Sequence, residues 1–118
     1  MKVLLIDDNK EITEVVSYFL ENIGISCTVL QDGKEGVEMI KNHNDYDLIL
    51  LDIAMPYFSG FDVLDELKKE DIIKSRNIMI FTASTVDEKK IYAYGVKGLI
   101  RKPISIDDLQ EAVERFKP

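Results

Sequence analysis

The chain has 118 residues, 46% hydrophobic and 31% charged, which is the composition of one globular domain rather than of a disordered segment. Its net charge of −7 argues against binding to nucleic acid or to an anionic membrane, because both need a basic surface. No apolar run is long enough to span a bilayer and no signal-peptide pattern is present, so we predict a cytoplasmic location.

Short apolar runs alternate along the chain with amphipathic stretches. The apolar runs predict five strands, over residues 3–6, 26–30, 48–51, 78–81 and 97–101. The stretches between and after them predict five helices, over residues 12–23, 34–43, 61–67 and 86–94 and from Ser105 to about Phe116. Cys27, the only cysteine, lies in the second strand, where we expect a buried small hydrophobic residue and no disulfide.

Several polar residues and glycines are typical of element boundaries. Asp8 is a candidate N-cap for the first helix, and Gly24 suits the end of that helix. Asp32 and Gly33 predict a turn before the second helix. Ser105, with an aspartate three residues further on, predicts a capped start for the last helix.

Five strands alternating with five helices predict an α/β three-layer sandwich. Strands that are apolar on both faces indicate a parallel sheet covered by helices on each side. Five such units are too few to close an eight-stranded barrel, so the sequence predicts an open, doubly wound five-stranded sheet.

Residues able to do chemistry follow the strands at the points where they end. Asp7 and Asp8 follow the first strand, Asp52 the third, Thr82 the fourth and Lys102 the fifth. Because the carboxyl ends of parallel strands meet at one edge, three carboxylates are expected in one crevice. Two carboxylates about 4 Å apart repel by about 4 kcal/mol near a protein surface, so such a cluster favours a cation such as Mg²⁺. A lysine and a hydroxyl nearby indicate phosphoryl chemistry.

The chain resembles the response-regulator receiver family, the CheY-like proteins, over essentially its whole length. The resemblance lies in four segments taken in order: Leu5-Ile6-Asp7-Asp8, Leu50 to Pro56 with Gly60, Phe81-Thr82-Ala83 and Arg101-Lys102-Pro103. It implies the flavodoxin-like strand order 2-1-3-4-5, in which the first and third strands are neighbours where the order reverses.

The resemblance also implies a metal site. Asp8 and Asp52 would ligate Mg²⁺ directly, together with the backbone carbonyl of Ala54, and Asp7 would act largely through water. Mn²⁺ is an alternative cation. Because the ligand at position 54 is a backbone atom, an alanine there is compatible with metal binding.

The same resemblance implies the chemistry of a phosphorylation switch. Asp52 would accept a phosphoryl group from a phosphohistidine, and Lys102 and Thr82 would bind the phosphoryl oxygens. Pro103 would follow a cis peptide bond. The domain would catalyse only its own phosphorylation and slow dephosphorylation, which makes it a signalling module rather than a turnover enzyme.

We expect residues 1–118 to form a single receiver domain with no output domain in this chain. The implied partners are a sensor histidine kinase or a histidine phosphotransfer protein as donor, and a downstream protein of a two-component system or phosphorelay. A monomer or weak dimer is expected, without direct contact to nucleic acid or membrane.

The sequence departs from the family pattern near the fifth strand. Leu99 occupies the position, three residues before the lysine, that is usually aromatic. One hypothesis is that Tyr92 or Tyr94 replaces the missing ring as a switch or partner contact. Thr82 and Lys102 are about two residues closer than usual, which predicts a short fourth helix.

Two other functions compete with the switch. A pseudo-receiver would bind partners without being phosphorylated, and Leu99 keeps this alternative open. A small Mg²⁺-dependent phosphohydrolase of the haloacid-dehalogenase type would also use an aspartate nucleophile. Such an enzyme has a second aspartate two residues later, where this chain has Ala54.

Overall fold

Five parallel strands form one sheet in the computed structural model, which describes residues 1–83 and 86–118. The strands are β1 (Lys2–Ile6), β2 (Ser26–Leu30), β3 (Leu48–Asp52), β4 (Ile78–Thr82) and β5 (Gly98–Arg101). The helices are α1 (Lys10–Asn22), α2 (Gly33–Asn42), α3 (Gly60–Lys69), α4 (Glu88–Tyr92) and α5 (Ile106–Phe116). The strand order is β2-β1-β3-β4-β5, which confirms the predicted doubly wound fold.

A single turn of 3₁₀ helix at Ile73–Ser75, between α3 and β4, was not predicted. Its three residues are too few to give a periodic apolar pattern. Within the described part of the chain, no helix combines the length and the apolar character that crossing a membrane requires.

The sheet separates two apolar cores because neighbouring strand residues point to opposite faces. On β1, Leu4 and Ile6 pack on the side of α2 and α3, whereas Val3 and Leu5 pack on the side of α1 and α5. All four side chains are fully buried. Burial on both faces explains why the strands read as continuous apolar runs, and it leaves only their ends for polar residues.

Two of the predicted helix starts are wrong in detail. The side chain that caps α1 is Asn9, which accepts a hydrogen bond of 3.2 Å from a backbone N–H three residues later, while Asp8 does not cap the helix. Asp32 caps α2 through the backbone N–H of Lys34, so Gly33 is the first helical residue and not part of a separate turn. Both aspartates precede a helix, and the sequence does not show which neighbouring side chain faces the free N–H groups.

The other predicted boundaries agree with the structure. Ser105 accepts a hydrogen bond of 3.0 Å from the backbone N–H of Asp108 and caps α5. Gly24 follows α1 with a φ of +81°, a left-handed conformation that a glycine adopts without strain. These caps fix where the two helices on one side of the sheet begin and end.

Cys27 is half-buried, and the expectation of a buried cysteine is wrong. The reason is that β2 is an edge strand, with a neighbouring strand on one side only. Burial, together with the charge of Glu21, raises the pKa of the Cys27 thiol to about 11. The thiol is therefore protonated and weakly nucleophilic at neutral pH.

The fourth helix is short, as predicted, and shorter than residues 86–94. Asp87 caps it by accepting hydrogen bonds from two backbone N–H groups, and the chain leaves the helix through Gly95, whose φ is +97°. The guanidinium of Arg101 on β5 pairs with Glu88 at the start of the helix over 2.8 Å. The first turn of α4 is thus linked to the strand that precedes Lys102.

The loop between β3 and α3 folds back tightly on the end of β3. The backbone N–H of Gly60 donates to the carbonyl of Ile53 over 2.9 Å. A Cβ atom at position 60 would lie 2.4 Å from the carbonyl oxygen of Asp52 and 2.8 Å from the Cα of Ile53. Only a glycine therefore fits where the two ends of this loop meet.

We expect Gly60→Ala to lower the free energy of unfolding by about 2 kcal/mol, because backbone atoms cannot move aside for the added methyl group. Gly36→Ala is the matched control, since a Cβ there meets only the side chain of Ile6, whose terminal methyl group can move aside, and the helical backbone favours alanine. Urea denaturation of the two variants compares them. An equal loss in both would contradict the close approach at Gly60.

Candidate functional site

The register of the sheet brings four strand ends to one edge. Ile6 pairs with Leu51 across β1 and β3, so the next residues, Asp7 and Asp52, are neighbours. On the other side of β3, the backbone N–H of Lys102 donates to the carbonyl of Thr82 over 2.8 Å. The predicted site residues of four strands thus lie at the carboxyl edge of the sheet.

Three aspartates form an acidic cluster at this edge. One carboxylate oxygen from each of Asp7, Asp8 and Asp52 lies within 4.8 Å of the others. Asp7 is completely buried and Asp52 is 2% exposed, whereas Asp8 is exposed at the surface. Carboxylate oxygens are the ligands that hard divalent cations prefer, so the cluster fits a cation such as Mg²⁺.

Lys102 forms salt bridges with both buried carboxylates. Its ammonium Nζ lies 2.8 Å from Oδ2 of Asp7 and 3.2 Å from Oδ1 of Asp52, and its side chain is 12% exposed. The sequence predicted that Lys102 would lie at this edge, but not that it would pair with Asp7, which is 95 positions away. One ammonium therefore faces three carboxylates, so the fully ionised cluster is net negative.

Backbone N–H groups fix the orientation of the two buried carboxylates. The N–H of Asn9 donates to Oδ1 of Asp7 over 2.9 Å. The N–H of Ala54 donates to Oδ1 of Asp52 over 3.4 Å. These donors belong to the two loops that follow β1 and β3, so the tight loops hold the side chains of the site. The contribution of Asn9 was missed, because any residue type supplies a backbone N–H.

The electrostatics of the site raise the pKa of Asp52 in the absence of a cation. Burial and the neighbouring charge of Asp7 raise the pKa of the Asp52 carboxyl to about 6, against the opposing effect of Lys102. Burial by itself would lower the pKa of Lys102, but its hydrogen bond to Asp7 and the charge of Asp52 outweigh this and raise that pKa. Lys102 therefore remains an ammonium while Asp52 titrates.

Thr82 and Pro103 lie beside this group. Thr82 ends β4 with its side chain completely buried, and its strand partner is Arg101. The peptide bond between Lys102 and Pro103 is cis. The backbone of position 54 lies at the mouth of the site, and its alanine side chain is exposed.

The tyrosines proposed to replace the missing ring lie elsewhere. Leu99 is partly buried and packs on the core beside α3 and α4. The hydroxyl of Tyr94 donates to Asp65 on α3 over 2.6 Å, which raises the pKa of Tyr94 to about 12. Tyr92 is exposed and lines a cavity with Gly98, at the amino end of β5. The hypothesis that Tyr92 or Tyr94 replaces the missing ring stays a prediction.

We predict that Asp52→Asn stabilises the metal-free protein. Because the native pKa of about 6 exceeds the value of about 3.9 for an exposed aspartate, the native state holds the extra proton between these pH values. The Asp52 carboxyl therefore stabilises the native state below about pH 4. This contribution is lost as the pH rises from about 4 to 6, and it is absent at pH 7. In urea denaturation with EDTA at pH 7.5, the free energy of unfolding of Asp52→Asn should exceed that of the native chain by about 2 kcal/mol. This difference should shrink toward pH 4.

We predict that Lys102→Met destabilises the metal-free protein, the opposite of the effect of Asp52→Asn. Removing the ammonium leaves Asp7 buried without its cation, which should lower the free energy of unfolding by about 3 kcal/mol in EDTA. Lys69→Met is the matched control, because its pair with Glu66 over 2.9 Å is exposed and should contribute little. Equal losses in both variants would show that the buried pair does not stabilise the protein.

Comparisons with known proteins agree with this fold. The family model of the response regulator receiver domain matches residues 3–114. The chain is 32% identical to hybrid signal transduction histidine kinase G of Dictyostelium discoideum, over 100% of this chain and 4% of that protein. It is 31% identical to response regulator SaeR of Staphylococcus aureus, over 90% of this chain and 46% of that protein. The chain thus spans less than half the length of these two relatives.

Two solved structures have nearly the same extent as this chain. The receiver domain of Francisella response regulator 1452 is 36% identical, with a TM-score of 0.80 and 98% of each chain covered. Response regulator TrrA of Thermotoga maritima, solved in complex with Mg²⁺-BeF, is 26% identical, with a TM-score of 0.82 over 98% of this chain and 97% of that one. With its five-stranded fold and the family match over most of its length, the chain belongs to the response-regulator receiver family of two-component signalling proteins.

Proposed function

We propose that the chain is a phosphorylation switch that accepts a phosphoryl group on Asp52 in the presence of Mg²⁺. The observation that supports this most directly is the buried pair of Lys102 and Asp52 inside a cluster of three carboxylates. A purely structural ion pair needs no additional carboxylates, whereas a phosphoryl site needs a nucleophile, a cation and a positive side chain together. The receiver domain is then a signalling module that modifies only itself.

Asp52 is the best placed of the three aspartates to act as nucleophile. Both oxygens of Asp7 are engaged, Oδ1 by the N–H of Asn9 and Oδ2 by Lys102. Asp8 is exposed and lies at the outside of the cluster. The two hydrogen bonds that Asp52 receives from described residues both end on Oδ1, so its second oxygen has no partner among them.

The donor set suits Mg²⁺, with Mn²⁺ as the alternative. Asp8, Asp52 and the carbonyl of Ala54 would hold the ion directly, and buried Asp7 would act largely through water. When bound, the ion neutralises carboxylate charge and the charge on the transferring phosphoryl group. The complex of TrrA with Mg²⁺-BeF supports this assignment by similarity.

The transfer is a single in-line displacement. A carboxylate oxygen of Asp52 attacks the phosphorus atom of a phosphohistidine, the P–N bond breaks, and its electron pair stays on the imidazole, which takes up a proton. The product is an acyl phosphate on Asp52. Lys102 moves from the Asp52 carboxylate to a phosphoryl oxygen, and the hydroxyl of Thr82 binds another. Attack by water later restores the carboxylate and releases phosphate.

The phosphodonor is a sensor histidine kinase or a histidine phosphotransfer protein, and the output is binding to a downstream protein. His43, the only histidine, follows α2 as the residue after its last turn, away from the acidic cluster. We therefore do not assign His43 as the phosphodonor. The described residues form one receiver domain, which acts as a monomer or weak dimer.

Incubation with phosphoramidate tests the proposal. We expect intact-mass analysis to show a gain of one phosphoryl group with Mg²⁺ and no gain in EDTA, because the anionic cluster repels the donor without a cation. Asp52→Asn should abolish the gain. Asp71→Asn is the matched control, because Asp71 is an exposed aspartate after α3 and should leave the gain unchanged.

Other outcomes identify the competing functions. A folded protein that gains no phosphoryl group under any condition would act as a pseudo-receiver. Continuous hydrolysis of a phosphomonoester by the native chain would indicate a phosphohydrolase. Either result would overturn the proposed switch.

A further inference from the structure

Tyr57 combines full exposure with an unfavourable backbone conformation. It is fully exposed, the most exposed of the large apolar and aromatic side chains in the described part of the chain. Its φ is +67°, in the left-handed region. A residue with a Cβ atom is strained in that region, and glycine or asparagine is favoured there. A tyrosine at this position is therefore unfavourable for the backbone and is not compensated by burial.

The loop that contains Tyr57 is held firmly at both ends. Its start is Asp52 itself, and Gly60 closes the loop by packing against the backbone of Asp52 and Ile53. Before that closure, the backbone N–H of Phe58 donates to the carbonyl of Pro56 over 2.7 Å, which makes a tight turn around Tyr57. The tyrosine is thus presented outward on a short, constrained loop.

Phe58 ties the loop to α2 on the other side. A Cβ atom on Gly33 would lie 2.7 Å from the carbonyl oxygen of Phe58 and 2.8 Å from its ring, so loop and helix are in close contact. The ammonium of Lys34 lies 5.9 Å from the centre of that ring. Two neighbouring aromatic residues therefore have opposite roles: Phe58 anchors the loop, and Tyr57 projects into solvent.

The position of this loop indicates which kind of molecule contacts Tyr57. The loop leaves β3 at the carboxyl edge of the sheet, beside the acidic cluster. Asp52 is only 2% exposed, so the histidine ring of a protein donor must enter the site to reach it. The protein surface around that histidine must then contact the loops that surround the site. A small phosphodonor has no such surface and does not contact these loops.

We propose that Tyr57 is a docking residue for the phosphohistidine-bearing donor protein, contacting it through the exposed aromatic ring. This inference rests on the proposed function of Asp52. A rigid, exposed tyrosine gives a large contact area at low entropic cost, which is why tyrosines are enriched in protein interfaces. The backbone strain at position 57 is then maintained by the requirement to bind a partner.

The test compares a protein donor with a small donor. The protein donor is the sensor kinase, from a panel of purified phosphorylated kinases, that transfers fastest to the native chain; the small donor is phosphoramidate. Tyr57→Asn removes the ring and suits the left-handed backbone. We expect its second-order rate constant with the kinase to fall at least tenfold, and its rate with phosphoramidate and Mg²⁺ to stay within twofold of the native chain.

Additional variants separate docking from folding. The melting temperature of Tyr57→Asn should equal or exceed that of the native chain, because asparagine tolerates the left-handed backbone. Tyr57→Phe should retain the kinase rate within threefold, because it keeps the ring. Ile23→Asn is the control, because Ile23 is an exposed apolar side chain that follows α1, at the amino end of the sheet, and should leave both rates unchanged.

The outcomes distinguish the inference from the proposed function. Native kinase rates in Tyr57→Asn would overturn the docking role and leave Asp52 as phosphoacceptor. A tenfold loss in Tyr57→Phe as well would overturn contact through the ring. A parallel loss with phosphoramidate would show that Tyr57 acts on the site itself. Failure of the native chain to react with phosphoramidate would instead overturn the proposed function.

Discussion

The interaction on which the site depends is the ammonium of Lys102 between two buried carboxylates. Asp7 and Asp52 come from adjacent strands and would repel each other at this separation without a positive charge between them. One ammonium balances only one of them, and Asp8 adds a third negative charge at the surface. The folded chain therefore keeps an excess of negative charge in a largely buried place, which makes the site costly to fold and favourable for a cation.

The parallel sheet makes this arrangement possible. β3 and β4 are buried along their whole length, so polar side chains are tolerated only where the strands end. Because all five strands run the same way, their ends meet at one edge, and short loops with backbone N–H groups begin there. The apolar core thus stabilises the protein enough to hold the charged cluster, and the register of the strands sets which charges are neighbours.

The sequence predicted the strands and the place where the polar residues meet better than the local details. Continuous apolar runs are a strong signal, and Asp7, Asp52 and Lys102 follow them directly. The cap of α1 was missed because Asp8 and Asn9 are adjacent candidates. The choice between them depends on tertiary structure, since the Asp8 carboxylate belongs to the acidic cluster. The pairing of Lys102 with Asp7 depends on tertiary structure, since no local pattern relates residues 95 positions apart.

The proposed switch cannot use the aromatic side chain that is usual in the family, because this chain has a leucine at position 99. Leu99 has no ring, and the hydroxyl of Tyr94 is hydrogen-bonded to Asp65 on α3. The first turn of α4 is instead paired to β5 through Arg101 and Glu88, one residue before Lys102. In the proposed switch, a shift of Lys102 toward a phosphoryl group would act on a strand whose preceding residue forms an exposed ion pair with α4. Coupling through that ion pair needs no aromatic switch, which is consistent with a leucine at position 99.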